Sequence, residues 1–251
     1  KANSNSKLLL LGDSFVQGMC VKKDKNIGAF LNTKDLKTSS LGVGGHGPLF
    51  SLAVLREYGK HYKHNKLIYF ITPDNDFDDL MSEIQNPILI KYLNDPLFSQ
   101  GLVHKKNEIK KIIDNYFKRK LRVNREFFRS YHLDLHKIRS FIKNIKKTKI
   151  IEKENNYFFG NKINKIFFKI LKEMNMYSLK EKRNFYVVIN LINPEIYFSK
   201  DKLNIKLKND LIDKISLTKK YLKNNKINFF DFNEYVFENF NQNNISTISH
   251  Y

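Results

Sequence analysis

Four consecutive leucines, Leu8 to Leu11, stop abruptly at Gly12-Asp13-Ser14. A short run that is apolar throughout, instead of alternating, predicts a strand buried on both faces. The pattern recurs at Leu67 to Ile71 and, each interrupted by one asparagine, at Phe185 to Ile192 and Ile227 to Phe230, and more weakly at Lys37 to Leu41. Between these runs the apolar period changes to that of a helix. Leu49, Leu52, Ala53, Leu55 and Tyr58 share one face within residues 49–62, and Pro48 suits the first turn. Ile27 to Leu31 reads as a short helix and Leu203 to Leu222 as a long one. Alternating strands and helices predict a parallel sheet with right-handed crossovers.

The pattern changes twice. Residues 77–103 carry breaks at Asn86-Pro87 and Asp95-Pro96, which predict short helices and loops leaving the sheet. From 104 to 183 the chain has no proline and only one glycine, Gly160. Ile109, Ile112, Ile113, Tyr116 and Phe117 form one apolar stripe; Phe127, Phe128, Tyr131, Leu135, Ile138, Phe141 and Ile142 form another. This predicts a helical insertion covering one side of the sheet, its aromatic faces serving core packing more than base stacking. After the last strand, residues 231–244 read as a short helix and loop leading to His250. Residues 1–6 are polar and expected to fray. No internal repeat is visible.

At 251 residues the chain is long enough for one generous domain, and 41% hydrophobic with 14% aromatic residues argues for a folded one. Its 45 basic and 25 acidic residues give +20. Residues 104–183 hold 24 Lys and Arg against 8 Asp and Glu, so the insertion supplies most of that excess. Such charge suits nucleic acid, an acidic polysaccharide or an anionic membrane. The basic residues are, however, overwhelmingly Lys amid abundant Asn and Ile, a bias that AT-rich codons also produce, and no nucleic-acid partner is expected. No apolar run reaches the ~20 residues that cross a bilayer. The compartment stays open between cytoplasm and cell envelope, the latter if an anchor precedes Lys1; the oligomeric state is equally open. The single cysteine, Cys20, excludes an intrachain disulfide and reads as a small core residue.

A serine just past a parallel strand stands where open α/β sheets place ligands. The plainer reading is that Asp13 or Ser14 caps the following helix. Two further stretches bear on the choice: Leu41-Gly42-Val43-Gly44-Gly45-His46-Gly47-Pro48, and Ile71-Thr72-Pro73-Asp74-Asn75-Asp76. With Gly12-Asp13-Ser14-Phe15 they resemble the ordered blocks of the SGNH (GDSL-type) hydrolases, over residues 7–90. Gly45 falls at the glycine of the second block and Asn75 at the asparagine of the third, with Pro73 where that family usually has glycine. His250 falls at the histidine block.

The resemblance implies a three-layer α/β/α sandwich with a five-stranded, flavodoxin-like parallel sheet. It implies one domain over 1–251, with the basic helical insertion at about 104–183. It also implies roles: Ser14 as nucleophile, His250 as base, and the Ser14 and Gly45 N–H groups with the Asn75 amide as oxyanion donors. The physical sense is plain, since glycine lets backbone approach a substrate and an amide is a neutral, directional donor. In the family an aspartate lies three residues before the histidine; here that position is Thr247. The orienting acceptor is then a carbonyl, another carboxylate, or missing.

Other residues compete. His46 beside Gly45 is a candidate pocket residue and the first substitute base. His61, His64, His104, His132 and His136 read as surface or helix positions. His132 and His136 share an i,i+4 face, but Leu133 stands where a zinc motif needs glutamate. Asp74, Asp76, Asp78 and Asp79 could hold a cation, yet read better as helix N-terminal acids and a solvated loop. The glycines at 42, 44, 45 and 47 lack the lysine and spacing of a nucleotide loop. No metal and no cofactor are expected. The expected activity is hydrolysis or transfer of an acyl ester, such as an acetylated sugar or another small ester. The alternative is a non-catalytic module on the same scaffold that holds an anionic polymer through its basic insertion.

Overall fold

The computed structural model describes residues 7–130, 157–198 and 200–239. Five strands form one parallel sheet: β1 (Leu8–Leu11), β2 (Thr38–Ser40), β3 (Lys66–Ile71), β4 (Asn184–Ile189) and β5 (Asn228–Asp231), in the order β2-β1-β3-β4-β5. This is the flavodoxin-like order, whose switch point lies between β1 and β3. The register sets Leu8 against both Thr38 and Lys66, and Lys66 against Asn184. The α/β class and the five-stranded parallel sheet are thus as the apolar runs predict.

The helices are α1 (Ser14–Gln17), α2 (Ile27–Thr33), α3 (Pro48–Tyr58), α4 (Asp76–Glu83), α5 (Pro87–Asn94), α6 (Lys106–Ser130), α7 (Tyr157–Lys180), α8 (Pro194–Tyr197), α9 (Lys202–Asn224) and α10 (Phe232–Asn239). A strand presents successive side chains to opposite faces, and the core divides accordingly. Leu9, Leu11, Leu67, Tyr69, Ile71, Phe185, Val187 and Ile189 face α3, α4, α5, α7 and α9 in one large cluster. Leu8, Leu10 and Phe70 face the smaller layer made with Val16 of α1 and Ile27 and Leu31 of α2.

Two compact units are distinguished. One comprises residues 1–100 and 161–251; the other comprises 101–160. The stretch expected as one insertion over 104–183 therefore divides. α6 lies in the second unit, with Ile112, Ile113, Tyr116 and Phe117 exposed along its stripe. From Asn161 onward α7 belongs to the first unit, and Ile163, Phe167, Ile170, Leu171 and Met174 are core residues there. Their spacing is that of a helix face turned to the sheet; lysines on the other face disguised a core helix as part of a basic insertion. His132 and His136, and the second aromatic stripe from Tyr131 onward, lie outside the described residues.

Two single-residue expectations are corrected. Cys20 is exposed, not core, because the short α1 ends at Gly18 and the chain turns outward. His64 is buried at 3% exposure, not on the surface, because Arg183 and the Tyr62 carbonyl enclose both ring nitrogens.

Candidate active site

Leu8 to Leu11 deliver the chain to the carboxyl edge of the sheet, and Asp13 turns it into α1. Asp13 is buried and accepts a hydrogen bond from the Phe15 N–H at 2.9 Å, capping α1. The cap reading of Asp13 and the ligand reading of Ser14 are therefore compatible. Ser14 is the first residue of α1 and half-buried. Neither its hydroxyl nor its backbone N–H has a hydrogen-bond partner among the described residues.

The loop after β2 passes beside this serine. A Cβ placed on Gly44 would overlap Met19 Sδ and lie 2.8 Å from Gln17 Oε1 and 3.3 Å from Ser14 Cβ, so glycine lets the loop pass close to α1 and the turn after it. The loop is pinned by Val43 N–H to the Gly12 carbonyl (3.1 Å) and by Gly44 N–H to Gln17 Oε1 (2.6 Å). Gly45 follows at φ +74°, with nothing within 4 Å of a would-be Cβ, and its N–H has no partner among the described residues. His46 then stacks on Phe50 at 3.9 Å between ring centroids. Gly45, His46 and Phe50, with Asp79, Glu83 and Gln100 among others, line a cavity of about 440 Å³.

Asn75 is the N-cap of α4, but its side chain makes no capping bond. It reaches back across the switch point, and its Nδ2 donates to Asp13 Oδ2 at 3.2 Å, tying the asparagine block to the serine block. Asn75 Oδ1 is buried without a partner among the described residues. Ser14, Gly45 and Asn75 thus all lie past the carboxyl ends of β1, β2 and β3. His250 and Thr247 lie outside the described residues.

The electrostatics of this edge are unusual for so basic a chain. Asp13, Asp76, Asp79 and Glu83 form no ion pair among the described residues. Burial pushes the Asp76 carboxyl well above its ordinary value, although the Thr72 N–H donates to it at 2.8 Å and opposes the shift. Burial likewise raises Asp74, Asp79 and Glu83, and the neighbouring carboxylates add to the effect on Asp79 and Glu83. The expected solvated acidic loop is therefore corrected in part: Asp78 is exposed, whereas Asp76 is 2% exposed and lies inside. No group of three metal-ligating side chains occurs among the described residues.

Sequence reasoning missed a second polar chain at the same edge. Asn190, just after β4, donates from Nδ2 to Thr72 Oγ1 at 3.0 Å. Asn233 donates to the Asn190 carbonyl at 3.0 Å and accepts from the Ile192 N–H at 2.8 Å. Asp231 accepts from the Asn233 N–H and pairs with Lys219. The chain fastens the ends of β3, β4 and β5 together at the start of α10. The available signal was an amide or carboxylate directly after an apolar run, as in Ile189-Asn190 and Phe230-Asp231.

No family model matches this sequence, and no curated protein matches it. Among solved structures it is similar to a crystal structure from Bacteroides fragilis NCTC 9343 described as a "putative acylhydrolase". The two are 13% identical, the match covers 92% of this chain and 70% of that one, and the TM-score is 0.43.

Proposed function

We propose that this chain is a serine-dependent hydrolase of acyl esters of the SGNH kind. The reading rests on one observation above all: Ser14 begins a helix at the switch point with its hydroxyl unbonded, beside a glycine loop whose Gly45 N–H is also unbonded. An unbonded hydroxyl is available to attack, and unbonded N–H groups are available to an oxyanion.

In this mechanism Ser14 Oγ attacks the ester carbonyl while His250 takes its proton. The carbonyl oxygen becomes an oxyanion held by the Ser14 and Gly45 N–H groups and by Asn75 Nδ2. His250 then returns the proton to the leaving alcohol, and water repeats the sequence to free Ser14. An alcohol in place of water would make the reaction an acyl transfer. Asp13 orients Asn75 by accepting one of its two amide hydrogens, leaving the other for substrate. Thr247 carries no charge to stabilise an imidazolium, so turnover should be modest. The cavity next to Gly45 is the place for the part of the ester that does not react; an acetylated sugar is one fit among small esters.

A second reading keeps support from α6, whose exposed Ile112, Tyr116 and Phe117 are interspersed with Lys110, Lys111 and Lys118. A basic amphipathic helix of this sort suits a module that holds an anionic polymer. A fluorophosphonate probe separates the two. Labelling that disappears in Ser14→Ala is the enzyme's result, and a folded protein that is never labelled leaves the binding module.

A further inference from the structure

α3 begins with a problem that its own sequence does not solve. The first turn of a helix leaves its N–H groups without partners. The N-cap here is Gly47, which has no side chain to offer, and Pro48 has no N–H. Three donors remain, and all three point to one carboxylate from another helix. Glu83, the last residue of α4, accepts from the Gly47 N–H at 2.7 Å through Oε1, and from Leu49 and Phe50 at 2.9 and 3.3 Å through Oε2. The side chain is buried and has no Lys or Arg partner among the described residues. Helix N–H groups and the positive end of the helix dipole stabilise the anion instead.

The arrangement depends on Gly47. A Cβ there would lie 2.8 Å from Asp79 Cβ and 3.1 Å from Glu83 Oε2, so any side chain would push the carboxylate away. Glycine at 47 and glutamate at 83 are therefore a matched pair. The loop between β2 and α3 is held at both ends: by Gly12 and Gln17 at Val43 and Gly44, and by Glu83 at Gly47. Only Gly45 and His46 lie between the anchors, neither N–H has a partner among the described residues, and Gly45 is the one without a side chain to obstruct an approaching carbonyl.

We propose that Glu83 is the positioning residue of the glycine loop: it aims the Gly45 N–H at the reacting carbonyl. Because it fills the N-terminus of α3, that helix end is closed as a rival anion site, and a developing oxyanion goes to Gly45. This inference rests on the hydrolase reading for its catalytic consequence, but not for the clamp itself.

The test measures p-nitrophenyl acetate turnover and backbone amide exchange on the full chain. Displacing an oxyanion donor should cost no more than deleting one, ~10²–10³. Glu83→Gln keeps one acceptor oxygen and should lower kcat about 10-fold, and Glu83→Ala about 100-fold, with KM within about twofold in both. Gly47→Ala, which keeps the carboxylate but displaces it, should follow Glu83→Ala. Glu57→Gln is the control: Glu57 is another buried glutamate on α3, bonded to Tyr92, Ser99 and Gln100, and its loss should reduce stability and leave kcat alone. An unchanged kcat in folded Glu83→Gln overturns the proposal, as does an equal fall in Glu57→Gln. If wild type shows no Ser14-dependent turnover, the hydrolase reading fails and amide exchange decides the clamp. Slow exchange at Gly47, Leu49 and Phe50 that quickens in Glu83→Gln upholds it; fast exchange in wild type sinks it.

Discussion

At the amino end of the sheet, His64 is buried with both ring nitrogens engaged: Nδ1 meets the Tyr62 carbonyl at 2.9 Å and Nε2 meets Arg183 at 3.1 Å. Burial and the neighbouring guanidinium push its pKa down to about 4, so the ring is neutral and Nε2 accepts from Arg183. Backbone bonds run from strand entrance to strand entrance: Leu8 N–H to the Lys37 carbonyl, Lys66 to Lys7, Asn184 to Asn65. Tyr177 Oη, packed on Gly59 near Arg183, is buried without a well-formed hydrogen bond among the described residues. At the carboxyl end, by contrast, Asp74 Oδ1 and Asn75 Oδ1 are buried and the N–H groups of Ser14 and Gly45 lie unbonded, all without partners among the described residues, and the carboxylates repel one another. The same five strands supply both ends. The amino end is built for stability, while the carboxyl end leaves the Ser14 and Gly45 N–H groups open to an acceptor, the role an ester oxygen has in the proposed reaction, and the Asp74 and Asn75 oxygens open to a donor.

The sharpest way to break this contrast is Ser14→Ala. It should remove at least about 10³ of p-nitrophenyl acetate turnover, and the unfolding free energy from urea titration should stay within about 0.5 kcal/mol of wild type, since a half-buried, unbonded hydroxyl is being deleted. Turnover that survives in this variant would dismiss the site. Next comes Asn75→Ala, which deletes one amide donor and should cost ~10²–10³ in kcat. The reverse substitution of ends is Arg183→Ala, which leaves His64 Nε2 without its donor. It should lower stability by about 1–3 kcal/mol and leave kcat unchanged, as read by urea unfolding and by steady-state assay. A large kcat effect there would mean that the two ends are not separable.

The last effect, spread over several pH units, is in the pH dependence of stability. His64 has a lower pKa folded than unfolded, so the unfolded chain binds the extra proton between about 4 and 6.5. Stability from this group is therefore complete above that window and is lost as pH falls through it, a contribution of about 3 kcal/mol at most. Asp76 and Glu83 have raised pKa values, so the folded chain binds the extra protons, and stability declines as pH rises past the ordinary carboxylate range. The two contributions have opposite slopes over the same acid range, so urea unfolding across pH 4–8 should resolve them through single substitutions: His64→Asn should remove a rise of stability with pH, and Glu83→Gln should remove part of a fall. A pH profile unchanged by His64→Asn would contradict a neutral, buried His64.

Much of this was legible in the sequence because one force dominated it. Leu8 to Leu11, Leu67 to Ile71 and Phe185 to Ile189 are apolar on every position, and only strands buried on both faces need that. Gly12-Asp13-Ser14 was legible because the break in hydrophobicity is so abrupt. The role of α7 was not, since its five lysines equal its five core residues in number and only the 163–174 spacing marks its buried face. Glu83 and Asn233 were not legible either. Each acts on backbone groups of a distant element, and a backbone N–H carries no sequence signature.

The register of β3 has a consequence for how the chain is made. β3 is the middle strand, and its pairing with β4 runs from Lys66 opposite Asn184 to Ile71 opposite Ile189. Its other neighbour, β1, precedes it, so β2, β1 and β3 can assemble as soon as they emerge. The partner for the far side of β3 is then still about 110 residues away, which at roughly 5–20 residues per second is about 5–20 seconds of synthesis. During that interval Leu67-Ile68-Tyr69-Phe70-Ile71 presents an unpaired hydrophobic edge, the kind that recruits strands from other chains. A nascent polypeptide of this design spends its most vulnerable moments waiting for Asn184 to Ile189. Yield on expression should therefore depend on elongation speed and on chaperones that cover an open strand, more than on the stability of the finished fold.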